Sequence, residues 1–256
     1  MKNPKQLKAL LKVLLVMVFI SLAFGLYSQA RAQQEIVNYL NERLKQQNVP
    51  VVDIDKPQRF PLHIQISIQS ASDGDKATPN DPINLGLTRR EVILAGRRGY
   101  LVERFTIILL NSQGKLMGKV DHSASLDDIF IDTSPSKLKD SATISLVANK
   151  MNFYGMSAKN MEIASSEGLQ VVTIQLATSS IDEANQALPR FMPSLRPSLE
   201  EINDEGAHIV MVKLELKDTS GNILLNYLLD LQLRFENWWM ADGVTADWFP
   251  HPAPAP

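Results

Sequence analysis

Leu62–Gln69 reads LHIQISIQ, and Leu169–Thr178 reads LQVVTIQLAT. In the first stretch Leu62, Ile64, Ile66 and Ile68 alternate with His63, Gln65, Ser67 and Gln69. Alternation at period two puts the four aliphatic side chains on one face of a strand. In the second, Val172, Ile174 and Leu176 make the same face. Leu62 and Leu169 lie 107 positions apart, and the next three apolar pairs lie 108 apart.

The spacing recurs on both sides. Val37, Leu40 and Leu44 stand 107 before Ile144, Val147 and Met151. Asn48 and Val49 stand the same distance before Gly155 and Met156, where each helical pattern stops. Ser112-Gln113-Gly114 answers Thr219-Ser220-Gly221, and Leu116 answers Ile223. Matching stop and turn residues at one spacing point to an internal duplication. The fold class is therefore α+β: two tandem, related units with antiparallel sheets, each running helix, strand, strand, helix or loop, strand, strand.

Within the units, Gln33–Asn48 carries an apolar stripe at Ile36, Val37, Leu40 and Leu44, the pattern of a surface helix. Ile83–Arg98 fits either a short helix opened near Asp81-Pro82 or an extended strand. Ile107–Leu110 is apolar on both faces, a strand end buried on both sides. Ser180-Ile-Asp-Glu183 is a capping box, after which Pro189, Pro193 and Pro197 are expected to break the helix repeatedly. Ile223–Phe235 alternates over its whole length and reads as one long strand.

Ahead of the repeat lies Ala9–Tyr27, ALLKVLLVMVFISLAFGLY. About 20 apolar residues in a helix cross a bilayer core. Lys2, Lys5 and Lys8 precede the run and Arg31 follows it, so the amino terminus stays inside and the body lies outside the cytoplasm. Two readings fit. The run is a retained single-pass anchor, or it is a signal peptide cleaved after Ala30-Arg31-Ala32. The expected organisation is 1–32 basic end plus anchor or signal, 33–125 first unit, 126–136 linker, 137–240 second unit, and 241–256 a Trp/Pro-rich tail.

The first 32 residues hold five of the 26 Lys and Arg and none of the 28 Asp and Glu, so the body carries a net charge of −7. Such a body suits neither nucleic acid nor an anionic lipid surface. There is no cysteine, which excludes disulfides, thiol nucleophiles, thiolate metal sites and cysteine lipidation.

No catalytic, metal or cofactor site is expected. Asp121-His122-Ser123 has triad residue types, but neighbours on a strand point to opposite faces and cannot form the relay. The loop beginning Asp73-Gly-Asp75 lacks the glycine and glutamate of a calcium loop. Asp127, Asp128 and Asp132 gather acid at the linker. Two features point to a partner instead. Arg89, Arg90, Arg97 and Arg98 concentrate basic charge in an acidic body, and Trp238, Trp239, Trp248 and Phe249 crowd the carboxyl-terminal end. Tryptophan is enriched at interface cores. The chain thus reads as a non-enzymatic, exported or membrane-anchored binding or assembly module of the cell envelope, holding the membrane through residues 9–27 and a protein partner outside it. The alternatives are an exported hydrolase built on carboxylates such as Asp121 and Asp128, or a small-ligand or lipid carrier with its site in the groove between the repeats.

Overall fold

The structure is a computed structural model that describes residues 17, 30–55, 62–74, 76–100, 102–123, 134–153, 158–166 and 169–245. The apolar run 9–27, apart from Met17, and the tail from residue 246, with Trp248 and Phe249, lie outside the described residues, as do Asp75, Asp127, Asp128 and Asp132. Among the described residues no helix is long and apolar enough to cross a membrane.

Two units follow each other. The first comprises helix α1 (30–46), strands β1 (Val51–Asp55) and β2 (Leu62–Gln69), helix α2 (Asp81–Arg97), and strands β3 (Val102–Leu110) and β4 (Leu116–Ser123). The second comprises α3 (Asp140–Phe153), β5 (Ala158–Ser166), β6 (Leu169–Ala177), α4 (Ile181–Asp204), β7 (Ile209–Lys217), β8 (Ile223–Asp230) and β9 (Phe235–Met240). The strands form a four-stranded sheet in the order β1-β2-β3-β4 and a five-stranded sheet in the order β5-β6-β7-β8-β9.

The duplication extends to irregularities. Register shifts fall at Val51/Asp53 and Ala158/Asn160, and again at Leu109/Leu110 and Leu216/Lys217, each pair 107 apart. Gly99 and Gly206 close α2 and α4 with φ of 98° and 108°, a left-handed backbone that glycine adopts without strain. Asn111 Oδ1 accepts from the backbone N–H of Gln113 and Lys115, and Asp218 Oδ1 accepts from those of Ser220 and Asn222. One expected match moves: Leu62 pairs with Val102 as Gln170 pairs with Ile209, so the whole of β2 is offset by 108 and the slip falls in the β1–β2 connection.

Three other expectations are corrected. The sheets are not wholly antiparallel, because the central pairs β2–β3 and β6–β7 run parallel. A parallel pair needs a crossover, and α2 and α4 supply it. Next, α4 is one unbroken helix of 24 residues. Pro189, Pro193 and Pro197 recur every four residues on its exposed side. There the carbonyls that lose an N–H partner can turn to water, and the helix curves around its core instead of breaking. Finally, Ile223–Phe235 is a hairpin, not one strand. The chain turns at 231–234, with Arg234 in the left-handed region at φ 53°.

Two apolar cores fix how the layers stack. One joins α1 (Ile36, Leu40, Leu44), α2 (Leu87, Val92, Ile93) and the apolar face of the first sheet (Ile64, Ile66, Phe105, Ile107). It also takes in Met211, Leu228 and Phe235 from the second sheet. The other core joins α3 and α4 (Val147, Met151, Leu188, Phe191) to the opposite face of the second sheet (Val172, Ile174, Leu214, Leu225). The order is therefore sheet, helix pair, sheet, helix pair. Helix α2 lies between two sheets, and α4 packs against one.

That position accounts for the local sequence of α2. Its buried residues run all round the helix, so no stripe marks it, whereas those of α4 fall on a single face. At Gly86 a Cβ would come within 2.6 Å of Leu228 and 2.8 Å of Asn237. A glycine is needed where the helix meets the second sheet this closely.

Candidate functional site

The contact between the units is built by polar groups as well as by core. Arg90 is 6% exposed and Asp230 is fully buried; they form an ion pair, and Arg90 also donates to Gln232 Oε1 at 2.9 Å. Asp230 Oδ1 further accepts from the backbone N–H of Leu233, which shapes the β8–β9 turn. The Arg89 guanidinium lies 4.6 Å from the Phe235 ring centroid. Asn237 and Trp239 donate to the carbonyls of Pro82 and Ala77.

These contacts place the residues expected to meet a partner. Arg89 and Arg90 are engaged inside the chain, across the unit junction. Arg97 and Arg98 are exposed at the end of α2, with Arg98 stacked 5.3 Å from the Tyr39 ring. Trp238 is buried in the α3/α4 core and Trp239 meets Ala77 in the loop that leads into α2. Trp248 and Phe249 fall in the tail that is not described.

A groove opens where α1 ends, α2 begins and the second sheet passes beneath. Its volume is about 580 Å³, within the range of small-molecule pockets. One wall is the end of α1, where Asn48 takes the left-handed conformation that stops the helix (φ 58°). The other is the first turn of α2, with Asn80, Ile83 and Asn84. Gln69 and Ser70 close the top.

Lys213 of β7 is the floor. Its strand neighbours are Thr173 and Leu228, so no carboxylate stands opposite it. It has no hydrogen bond or ion pair among the described residues, and burial pushes its pKa below the ordinary lysine value. The other ionisable group of the groove, Asp81, is turned into the protein. Its Oδ2 accepts from Ser70 Oγ and from the backbone N–H of Thr78, while its Oδ1 has no partner. The groove thus offers a cation with no partner among the described residues, a carboxylate half engaged within the chain, several side-chain amides and a small apolar patch. It offers no acid–base pair in contact.

The acids and histidines read from the sequence lie elsewhere. Asp121 and His122 point to opposite faces of β4, as strand geometry requires. Asp121 accepts from Thr106 Oγ1, which in turn stands 3.1 Å from His63 Nε2; His122 packs on Phe105 with ring centroids 5.0 Å apart. Burial first, then the nearby Arg89 cation, pulls the His122 pKa down to about 4. The His63–Thr106–Asp121 ladder escaped the sequence reading because its members come from three strands. Among the described residues no cluster of three His, Asp or Glu could hold a metal ion. Lys213 gave no signal either, since a lysine at an alternating strand position looks like any solvent-facing residue.

No protein-family model matches the chain, and no curated protein matches it. Among solved structures, a sex pheromone staph-cAM373 precursor is similar at 9% identity and a TM-score of 0.33, over 83% of this chain and 93% of that one. The C-terminal domain of that precursor from Staphylococcus aureus is similar at 8% identity and a TM-score of 0.27, over 70% and 64%. A sex pheromone precursor from Lactobacillus salivarius is similar at 14% identity and a TM-score of 0.26, over 74% and 68%. Likenesses of this depth say nothing about what the present chain binds.

Proposed function

We propose that the chain is a non-enzymatic binding module outside the cytoplasm, held at the membrane by residues 9–27, with its ligand seat in the groove between the two units. The observation that carries this reading is the groove itself. A half-buried lysine with no partner among the described residues, beside neutral hydrogen-bonding side chains and an Asp81 carboxylate already engaged through one oxygen, is equipped to hold a ligand and lacks the paired groups of a general acid and base. Location is supported by the apolar run and the lysines on its amino side. Retention of the run is supported by α1, which is already helical at residue 30 and so carries the Ala30-Arg31-Ala32 stretch inside a helix. The exported hydrolase loses support, since Asp121 is exposed on the far face of the first sheet and does not line the groove.

The test compares three full-length proteins taken in mild detergent from their own membranes: the parent, Asn84→Trp, which fills the groove, and a chain ending at Thr245. Native mass spectrometry should find a small molecule retained by the parent and by the shortened chain but lost from Asn84→Trp. Identical small-molecule content in all three would remove the groove as the seat. A protein companion lost only with residues 246–256 would make the tail, with Trp248 and Phe249, the functional end.

A further inference from the structure

The groove also says which chemistry would fill it. Lys213 sits mid-strand on the face of the second sheet that the first unit covers. At the neighbouring positions of that face stand Met211 and Leu228, both 1% exposed or less, and Glu215, whose carboxylate pairs with Lys217 at 2.8 Å. Lys213 is half-buried, and a cation held partly out of water beside apolar neighbours is costly unless something neutralises it. Within the chain, nothing among the described residues does. Asp81, the carboxylate that lines the same groove, is engaged by Ser70 and Thr78 through Oδ2 and makes no ion pair with Lys213.

Around the cation the amides of Asn48 and Asn84 supply donors and acceptors without adding charge, joined by the Nδ2 of Asn80, whose Oδ1 accepts from Asn226, and the Oε1 of Gln69, whose Nε2 donates to the Ser112 carbonyl; Ile83 and Leu87 supply apolar contact. The opening turn of α2 lends further positive potential to the same wall. Its N-cap, Asn80, makes no side-chain capping bond to the helix.

We infer that the groove binds a small organic carboxylate, its anionic group on Lys213 and its hydroxyl- or amide-bearing body along the amides of α1 and α2. The inference rests on the reading of the groove as the ligand seat. Two sources share this chemistry, a sugar acid and the carboxyl end of a short peptide. A phosphate or sulfate ester is served less well, because a single lysine with no arginine fork matches one negative charge.

The competing account is structural. The carbonyl end of α1 lies at the same wall, and a cation there would offset its partial negative charge. The two accounts predict opposite signs for one substitution. If Lys213 is kept for a ligand, Lys213→Met removes a half-buried charge that has no partner among the described residues and raises the melting temperature while abolishing binding. If it serves α1, the same change lowers the melting temperature.

The experiment uses the full-length protein in detergent. Glucuronate and acetyl-alanyl-alanine are the probes, and glucose and acetyl-alanyl-alanine amide are their neutral counterparts. Titration calorimetry and thermal denaturation are read for the parent, Lys213→Met and Asn84→Trp. We expect one of the two carboxylates to bind at least ten times more tightly than its neutral counterpart. That affinity should fall at least tenfold in Lys213→Met, which should itself melt higher than the parent. Whichever carboxylate binds identifies the source. Failure of both carboxylates, an affinity unchanged in Lys213→Met, or a lowered melting temperature in that variant overturns the inference. Equal binding of charged and neutral probes, lost in Asn84→Trp, also overturns it but leaves the groove standing as a seat for neutral ligands. Indifference of every probe to Asn84→Trp removes the groove itself.

Discussion

The two units present the same sheet face to different surroundings, and their sequences record it. In the second unit this face carries Val171, Met211 and Leu228 and is covered by the helices of the first. In the first unit the positions that correspond are His63, Arg104 and Asp121, and among the described residues no helix covers them. Strand pairing, turns and bulges are common to both; the outer face differs because one is closed by its neighbour and the other, among the described residues, is left uncovered. The two units share a backbone plan, and burial distinguishes their side chains.

The most damaging test of this contrast places charge on the covered face. Leu228→Asp puts an unpaired carboxylate at a fully buried position and should cost more than about 4 kcal/mol in chemical denaturation. Asp230→Ala comes next. It strands the buried Arg90 and should cost about 3 to 4 kcal/mol, largely recovered in the double variant Arg90→Met, Asp230→Ala. Gly86→Leu overfills the contact between α2 and the second sheet and should cost about 1 to 3 kcal/mol by the same measurement.

A smaller effect depends on pH. His122 holds its proton only below about pH 4 in the folded chain, against about 6.5 when unfolded. Between those values the unfolded chain binds more protons, so stability falls as pH drops through the window. The side chain is half-buried, so solvent screening leaves about 1 kcal/mol. Leu229 stands at the matching place in the second unit. Denaturation midpoints of His122→Leu, followed from pH 7 to 4, should lose that part of the slope. The smallest effect is expected on the bare face, where Arg104→Met should change stability by less than about 0.5 kcal/mol. A large change there would mean that the face is covered after all.

Much of this architecture was legible in the sequence. Alternation at 62–69 and 172–176, and the turn residues at 112–114 and 219–221, fixed the strands and the duplication, because each depends on neighbours in the chain. Failures came where tertiary contact decided. The helix nature of 81–97 was hidden because α2 is buried on all sides and has no stripe. The turn at 231–234 was hidden because Leu231 and Leu233 continue the alternation and neither Gly nor Pro marks it. The prolines of α4 looked like breaks because only the fold puts them on the exposed side. At the groove, Lys213 comes from one unit and its walls from the other, so nothing local announced it.

Sharing α2 between two cores also has a consequence for how the protein is made. The first unit is complete some 107 residues before the second. At about 5 to 20 residues per second that is roughly 5 to 20 s. Throughout that interval the side of α2 that awaits Leu228 and Phe235 has nothing to rest on. A nascent chain halted near residue 134 should therefore expose that apolar side of α2, and adding the second unit should cover it.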